Sequence, residues 1–210
     1  MTIFSKNSPD ARADLPARLI LASGSVYRRD LLNRLGMPFE VISPDIDEKP
    51  LPDEAPEKTA LRLAESKARA VGKQTGDALI IGSDQVATLD GQHIGKPGSH
   101  DAALIQLQTM RGHDVIFHTA VCLLDTRPSA RSSLQIDNVI TVVRFRHLND
   151  DALNRYLLIE QPYDCAGSAK NEKLGIALTE KIESCDPTAL TGLPLITLCS
   201  MLANVGVRLF

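Results

Sequence analysis

Two short apolar runs, each uninterrupted and each stopped by a glycine, most constrain what this chain can fold into. Arg18–Ser23 (RLILAS) breaks at Gly24, and ALII at 78–81 breaks into Gly82, Ser83 and Asp84. Runs of this length without polar alternation are those of strands buried on both faces. Helical patterns lie between them. Ser25 has the side chain of a helix N-cap, and the following YRRDLLNRLG places Leu31, Leu32 and Leu35 on one face before Gly36 stops it. Phe39–Ser43 (FEVIS) reads as a second strand. The acidic, proline-rich PDIDEKPLPDEAP must be a loop. A long helix is expected from about Glu57 to Lys73, with apolar Leu61, Leu63, Ala64, Ala68 and Val71. Strands alternating with helices define the α/β class.

The second half is patterned differently. The run ALIIGSD is expected to end near Asp84, and a hairpin to turn at Asp90-Gly91. His100 to Arg111 is helical in pattern. HDVIFHTAVCLLDT and LQIDNVITVVRFRHL alternate as strands do and read as a long antiparallel ribbon. NDDALNRYLLIEQ reads as a helix capped by Asn149. Tyr163 to Glu183 follows no single period, with Gly167 and Gly175 marking turns, and a last helix is expected over about Pro194 to Asn204. The sheet is therefore mixed, parallel at the start and antiparallel later. Residues 18–210 are expected to form one domain. Residues 1–17 read as a flexible extension without the apolar region of a secretory signal.

Composition excludes several classes. A net charge of −3 over 210 residues gives no basic face for coating nucleic acid. No run approaches the ~20 apolar residues of a membrane span. The four cysteines (Cys122, Cys165, Cys185, Cys199) contain no C-x-x-C pair, so zinc ribbons and redox pairs are not indicated. They read as small hydrophobes in a reducing compartment, which makes the cytoplasm the expected location. The five histidines form no zinc-hydrolase spacing, and neither Ser25 nor Ser83 lies in G-x-S-x-G.

Four features could carry chemistry. Ser23-Gly24-Ser25 opens a helix, where free amides and the helix dipole favour a phosphate, and Arg28 and Arg29 add positive charge in a first turn that locally disfavours it. Asp84, at the end of a buried strand, could bind a divalent metal or accept a proton from water. Asp45, Asp47 and Glu48 could supply one of the one or two carboxylates that Mg²⁺ takes beside phosphates. Lys67 and Lys96 could neutralise a phosphate. Singly, each also has an ordinary reading: a capped surface helix, a turn aspartate, a solvated acidic loop, a solvated lysine.

Together the segments resemble the Maf family of nucleotide pyrophosphatases. The matching pieces are LILASGSVYRRDLL, PDIDE at Pro44 to Glu48, AESKARAV around Lys67, IIGSDQV at Ile80 to Val86, GKP at Gly95 to Pro97, CAGSAKNEKLG at Cys165 to Gly175 and GLPL at Gly192 to Leu195. Within the family, Tyr27, Gln85 and Glu172 resemble the subgroup that hydrolyses 7-methyl-GTP. The resemblance implies a long central mixed sheet flanked by helices, with two lobes around a cleft. It implies cleavage of the α-β phosphoanhydride, releasing pyrophosphate and keeping modified nucleotides from incorporation. Ser23, Ser25 and Arg28 would hold the phosphates, and Lys67 and Lys96 would be catalytic cations. Asp84 would accept the proton or orient metal-bound water. Asp47, Glu48 and Asp84 would place Mg²⁺ or Mn²⁺. Tyr27, Gln85 and Glu172 would set specificity, Glu172 by accepting from the adjacent donors of guanine and Tyr27 by facing the cationic methylated base. Homodimerisation is an expectation at family level. The chain departs from the family in reading S-G-S-V-Y in the first loop and in lacking a glycine directly after Glu172. The alternatives are a dTTP or UTP pyrophosphatase, and a nucleotide-binding regulator of cell division without catalysis.

Overall fold

The computed structural model describes residues 18–128, 130 and 133–209. The expected extension at 1–17 lies outside the described residues. Among these, seven strands form one mixed sheet. β1 (Leu19–Ala22) pairs in parallel with β2 (Glu40–Val41) and β3 (Leu79–Leu89). β3 pairs antiparallel with β4 (Gln92–Ile94) and β5 (Asp114–Asp125), β5 with β6 (Leu134–Phe145), and β6 with β7 (Thr179–Ser184). Five α-helices accompany them: α1 (Val26–Asn33), α2 (Pro56–Gly72), α3 (His100–Met110), α4 (Asp150–Glu160) and α5 (Leu195–Asn204).

The apolar runs explain the layering. Side chains alternate across a strand. Leu19 and Leu21 therefore pack with Leu31, Leu32, Leu198 and Leu202 on one face, under α1 and α5. Ile20 and Ala22 pack with Ala60, Ala64, Ala68 and Val71 of α2 on the other. A strand covered on both sides has no polar position, which is why RLILAS does not alternate. A third cluster builds the second lobe, where α3 and α4 cover the far ends of β5 and β6 through Leu107, Met110, Phe117, Phe145 and Leu157. Ser25 caps α1 and Asn149 caps α4, each side chain accepting from a backbone amide. The β3–β4 hairpin turns at Asp90 and Gly91, whose φ angles of 51° and 77° are those a two-residue turn of this kind requires.

β3 departs from its expected end. It runs through Asp84 to Leu89, because β5 keeps pairing with it from Leu79↔Asp125 to Thr88↔Ile116. The strand that stops is β1, whose last pair is Ala22↔Gly82. On that side β3 has no further partner until Ala87↔Ile94. Ser83 to Val86 thus lie along a gap in the sheet. FEVIS contributes only Glu40–Val41 as strand. β7 had no visible signal: it is an edge strand, TEKIES, with five of its six residues exposed, so burial imposes no alternation on it. Of the cysteines, Cys122 is buried, its thiol pushed up to about 12 chiefly by desolvation, whereas Cys185 is exposed.

Glu54 ties the acidic loop to α2. Its carboxylate accepts from Arg62 Nε at 2.6 Å and Nη2 at 2.7 Å, from Thr59 Oγ1 at 2.9 Å and from the Leu51 amide at 3.1 Å. The hydrogen bond from Arg62 outweighs burial and holds Glu54 at about 2. A folded pKa below the unfolded one contributes stability above the unfolded value, and this is lost as pH falls towards 2. Thermal melts of wild type and Glu54→Gln are expected to converge between pH 4.5 and pH 2 and to separate above pH 5 with wild type more stable. A constant difference across that range would remove Glu54 as the titrating group.

Candidate active site

A cleft of about 1050 Å³ opens where β1 stops and β3 continues. One wall comes from the β1–α1 turn. Ser25 accepts from the Arg28 amide at 3.4 Å, and its own amide donates to Ser23 Oγ at 3.2 Å. Arg28 turns back along the turn, donating from Nε to the Gly192 carbonyl at 2.8 Å and from Nη1 to Ser23 Oγ at 3.4 Å. α1 has no acidic residue in its first turn. Burial lowers the Arg28 pKa, while Asp84 and Glu48 act to raise it. The turn therefore presents amides, hydroxyls and a fixed guanidinium to the cleft, a suitable seat for an anion.

The floor is a buried ion pair with an exposed carboxylate at its mouth. Lys67 lies on the same stripe of α2 as Ala60, Ala64 and Ala68, the stripe that packs on the sheet. Its Nζ is 2.7 Å from Asp84 Oδ1 and 2.7 Å from Glu48 Oε1. Lys67 is 5% exposed and Asp84 7%. Charges so buried persist only when paired. Burial pushes Glu48 up, but the Lys67 hydrogen bond and the charges of Lys67, Lys96 and Arg28 together hold it below its ordinary value. Lys96 is exposed on the β4–α3 loop at the cleft and acts electrostatically on Glu48.

The specificity candidates fall at other points of the same cleft. Desolvation raises the Tyr27 phenol, Lys170 lowers it and Glu172 raises it, so the three are electrostatic neighbours. Lys170 Nζ pairs with Asp164 Oδ1 at 3.2 Å. Asn171 also lines the cleft, and its Oδ1 is buried with no hydrogen-bond partner among the described residues. Gln85 Nε2 lies 2.9 Å from Thr119 Oγ1, 3.1 Å from the Ala189 carbonyl and 3.0 Å from the Leu190 carbonyl. Carbonyls only accept, so the amide nitrogen must face them. Gln85 thus pins the 3₁₀ turn Ala189–Thr191, and its Oε1 is the acceptor left over.

Ser23, Ser25, Tyr27, Arg28, Glu48, Lys67, Asp84, Gln85, Lys96 and Glu172 all line this one cleft. Asp47 does not; its Oδ1 accepts from the Lys49 amide at 3.0 Å, closing a local turn in the loop. Among the described residues no cluster of three or more His, Cys, Asp or Glu gathers to hold a metal. Glu48 and Asp84 on one ammonium supply two carboxylates, a donor set that fits Mg²⁺ or Mn²⁺ when phosphate oxygens and water complete the shell. Two groups escaped the sequence reading. The Gly192 carbonyl anchors both Arg28 Nε and Ser83 Oγ at 2.8 Å, and a backbone oxygen leaves no mark in a sequence. Lys170 stands two residues before Glu172 in CAGSAKNEKLG, where nothing local distinguishes it from a solvated lysine.

Comparison with known proteins places these residues in a family. The family model described as Maf-like protein matches residues 18–205. A protein of Burkholderia pseudomallei (strain 1710b) named 7-methyl-GTP pyrophosphatase is 60% identical over 198 residues, covering 93% of this chain and 91% of the relative. One of the same name from Paraburkholderia xenovorans (strain LB400) is 61% identical over 197 residues, covering 92% and 95%. Another, from Ralstonia nicotianae, is 58% identical over 192 residues, covering 91% and 97%. Among solved structures, the Staphylococcus aureus Ham1 protein superposes with a TM-score of 0.51 at 12% identity, over 89% of this chain and 98% of that one, a likeness of fold alone.

Proposed function

The chain belongs to the Maf-like protein family, and from that premise we propose that it hydrolyses 7-methyl-GTP to 7-methyl-GMP and pyrophosphate. The observation that carries the reading is the Glu48–Lys67–Asp84 cluster, a buried Lys67–Asp84 ion pair joined by the exposed Glu48, which lines one cleft with the Ser23–Ser25 turn, Tyr27 and Glu172. High identity to relatives bearing that activity in their names supports it.

Ser23, Ser25 and Arg28 hold the triphosphate. Asp84, with Oδ1 on Lys67, orients a water against the α-phosphorus and accepts its proton. Lys67 and Lys96 neutralise charge on the phosphoryl oxygens as the α-β bridge breaks and pyrophosphate leaves. Glu48 and Asp84 would hold a divalent cation, Mg²⁺ or Mn²⁺, which when bound supplies further neutralisation of the phosphates. Glu172 accepts from guanine N1-H and the exocyclic amine, and Tyr27 packs on the methylated, cationic ring. Gln85 Oε1 is a further acceptor for the substrate. Among the described residues no helix is long and apolar enough to cross a membrane. We place the enzyme in the cytoplasm, where modified nucleotides would be intercepted.

Pyrophosphate release across 7-methyl-GTP, GTP, dTTP, UTP and ITP tests the reading. We expect 7-methyl-GTP to have the highest kcat/KM, and Glu172→Gln to lose about tenfold of its preference over dTTP, the worth of a charged hydrogen bond. Tyr27→Phe should keep the preference and Tyr27→Ala should lose it. Faster turnover of dTTP or UTP would overturn the specificity, and binding without turnover in Mg²⁺ and in Mn²⁺ would overturn catalysis.

A further inference from the structure

Gln106, on α3, stands outside the lining of the cleft yet touches both of its functional rims. Its Nε2 donates to the Gly95 carbonyl at 2.9 Å, and its Oε1 accepts from Ser168 Oγ at 2.6 Å. The carbonyl of Gly95 can only accept, which fixes the amide's orientation. Gly95 is the residue before Lys96. Ser168 is fully buried with φ of 52°, a left-handed conformation that is costly for serine and is held by its surroundings.

The connection continues beyond Ser168. The Ser168 carbonyl accepts from Tyr156 Oη at 3.1 Å, and Tyr156 Oη accepts from the Lys170 amide at 3.3 Å. Tyr156 is 5% exposed, and burial is the chief cause of the upward shift of its phenol. A series of hydrogen bonds, joined covalently through Ser168 between its Oγ and its carbonyl, thus runs from the backbone beside Lys96, through Gln106 and Tyr156, to the backbone two residues before Glu172. The Tyr156–Ser168 bond is buried, the Ser168–Gln106 and Lys170–Tyr156 bonds are partly buried, and the Gln106–Gly95 bond lies at the surface, so one side chain ties the exposed loop to a segment anchored in the interior.

We propose that Gln106 is a positioning residue that locks the phosphate-facing loop of Lys96 to the base-facing segment of Glu172. Recognition of the base and neutralisation of the phosphates then share one rigid support. The proposal rests on the reading of Lys96 and Glu172 given above. A misplacement of about 1 Å in a charge-neutralising group costs up to about 10²-fold in rate, so a link to the loop backbone should be felt in kcat.

Kinetics on 7-methyl-GTP and GTP, with thermal melts, should be measured for wild type and for Lys96→Ala, Glu172→Gln, Gln106→Leu, Gln106→Glu and the double variant Lys96→Ala/Gln106→Leu. Gln106→Leu is expected to lower kcat about tenfold and to narrow the preference for 7-methyl-GTP. Gln106→Glu keeps an acceptor for Ser168 but turns a carboxylate on the Gly95 carbonyl, so it should lose rate and keep base preference. Groups acting as a unit are not additive, so Gln106→Leu should cost less than about twofold once Lys96 is alanine. A role confined to stability would lower the melting temperature without the kcat loss or the non-additivity. Wild-type kcat and preference in Gln106→Leu, while Lys96→Ala and Glu172→Gln are impaired, would overturn the proposal and leave the site reading intact. Full multiplicativity of the double variant would do the same. An unimpaired Lys96→Ala would overturn the role of Lys96 and the proposal with it.

Discussion

Asp84→Asn is expected to lower kcat for 7-methyl-GTP by about 10²-fold or more, with the melting temperature nearly unchanged. The substitution removes little volume. Its Oδ1 can still accept from Lys67, and Lys67 keeps Glu48 at 2.7 Å, so the buried ammonium is not orphaned. What is lost is the negative oxygen able to take a proton from water and to share a cation. Because that group matters in the transition state, kcat and kcat/KM should fall together. Single-turnover pyrophosphate release at saturating substrate checks this directly. Turnover within about threefold of wild type would remove Asp84 from the proton-accepting role.

Gly82→Ala should be strongly damaging, since its Cβ makes the shortest contact of any at the chain's glycines. A Cβ at this position would stand 2.1 Å from the Ala64 carbonyl oxygen and 2.9 Å from the Ala68 amide nitrogen. Both are backbone of α2, and no rotamer can relieve the contact. Either α2 lifts from the sheet or β3 shifts, and overpacking of this kind costs about 3 kcal/mol. For a chain of this size that is roughly 6–12 °C in Tm. Activity should fall as well, because Ala64 and Ala68 bracket Lys67 on the face that meets Asp84. Gly76→Ala is the control: its Cβ meets nothing within 4 Å, and its effect should stay within about 0.5 kcal/mol. Calorimetry of the two variants side by side decides the matter, and equal melting temperatures would refute the close approach of helix to strand.

These two effects also show how differently the features of the chain were legible. Whatever depends on a few neighbouring residues was open to reading. Leu19 to Ala22 had to be a strand covered on both faces, since no polar position interrupts it. Ser25 and Asn149 had to cap helices, since each side chain needs only an amide three residues on. Asp90-Gly91 had to turn, because its left-handed angles are local chemistry. Even the cleft's residue types were visible, scattered over segments whose order matches a family.

The arrangement of those residues was not local. Asp84 was expected at the end of a strand and lies inside one; what ends there is β1, and only the pairing of β1, β3 and β5 makes the gap. Asp47 and Glu48 share one loop and the same acidic chemistry. Glu48 reaches the cleft because the ammonium of Lys67 meets it there, whereas Asp47 turns to its own loop amide. Lys67 and Asp84 are 17 residues apart, and Arg28 and the Gly192 carbonyl 164. A sequence records which groups can donate, accept or carry charge. It does not record which of them meet, because such hydrogen bonds form only after the two sheet faces and the second lobe have buried their apolar sides and brought distant backbone together.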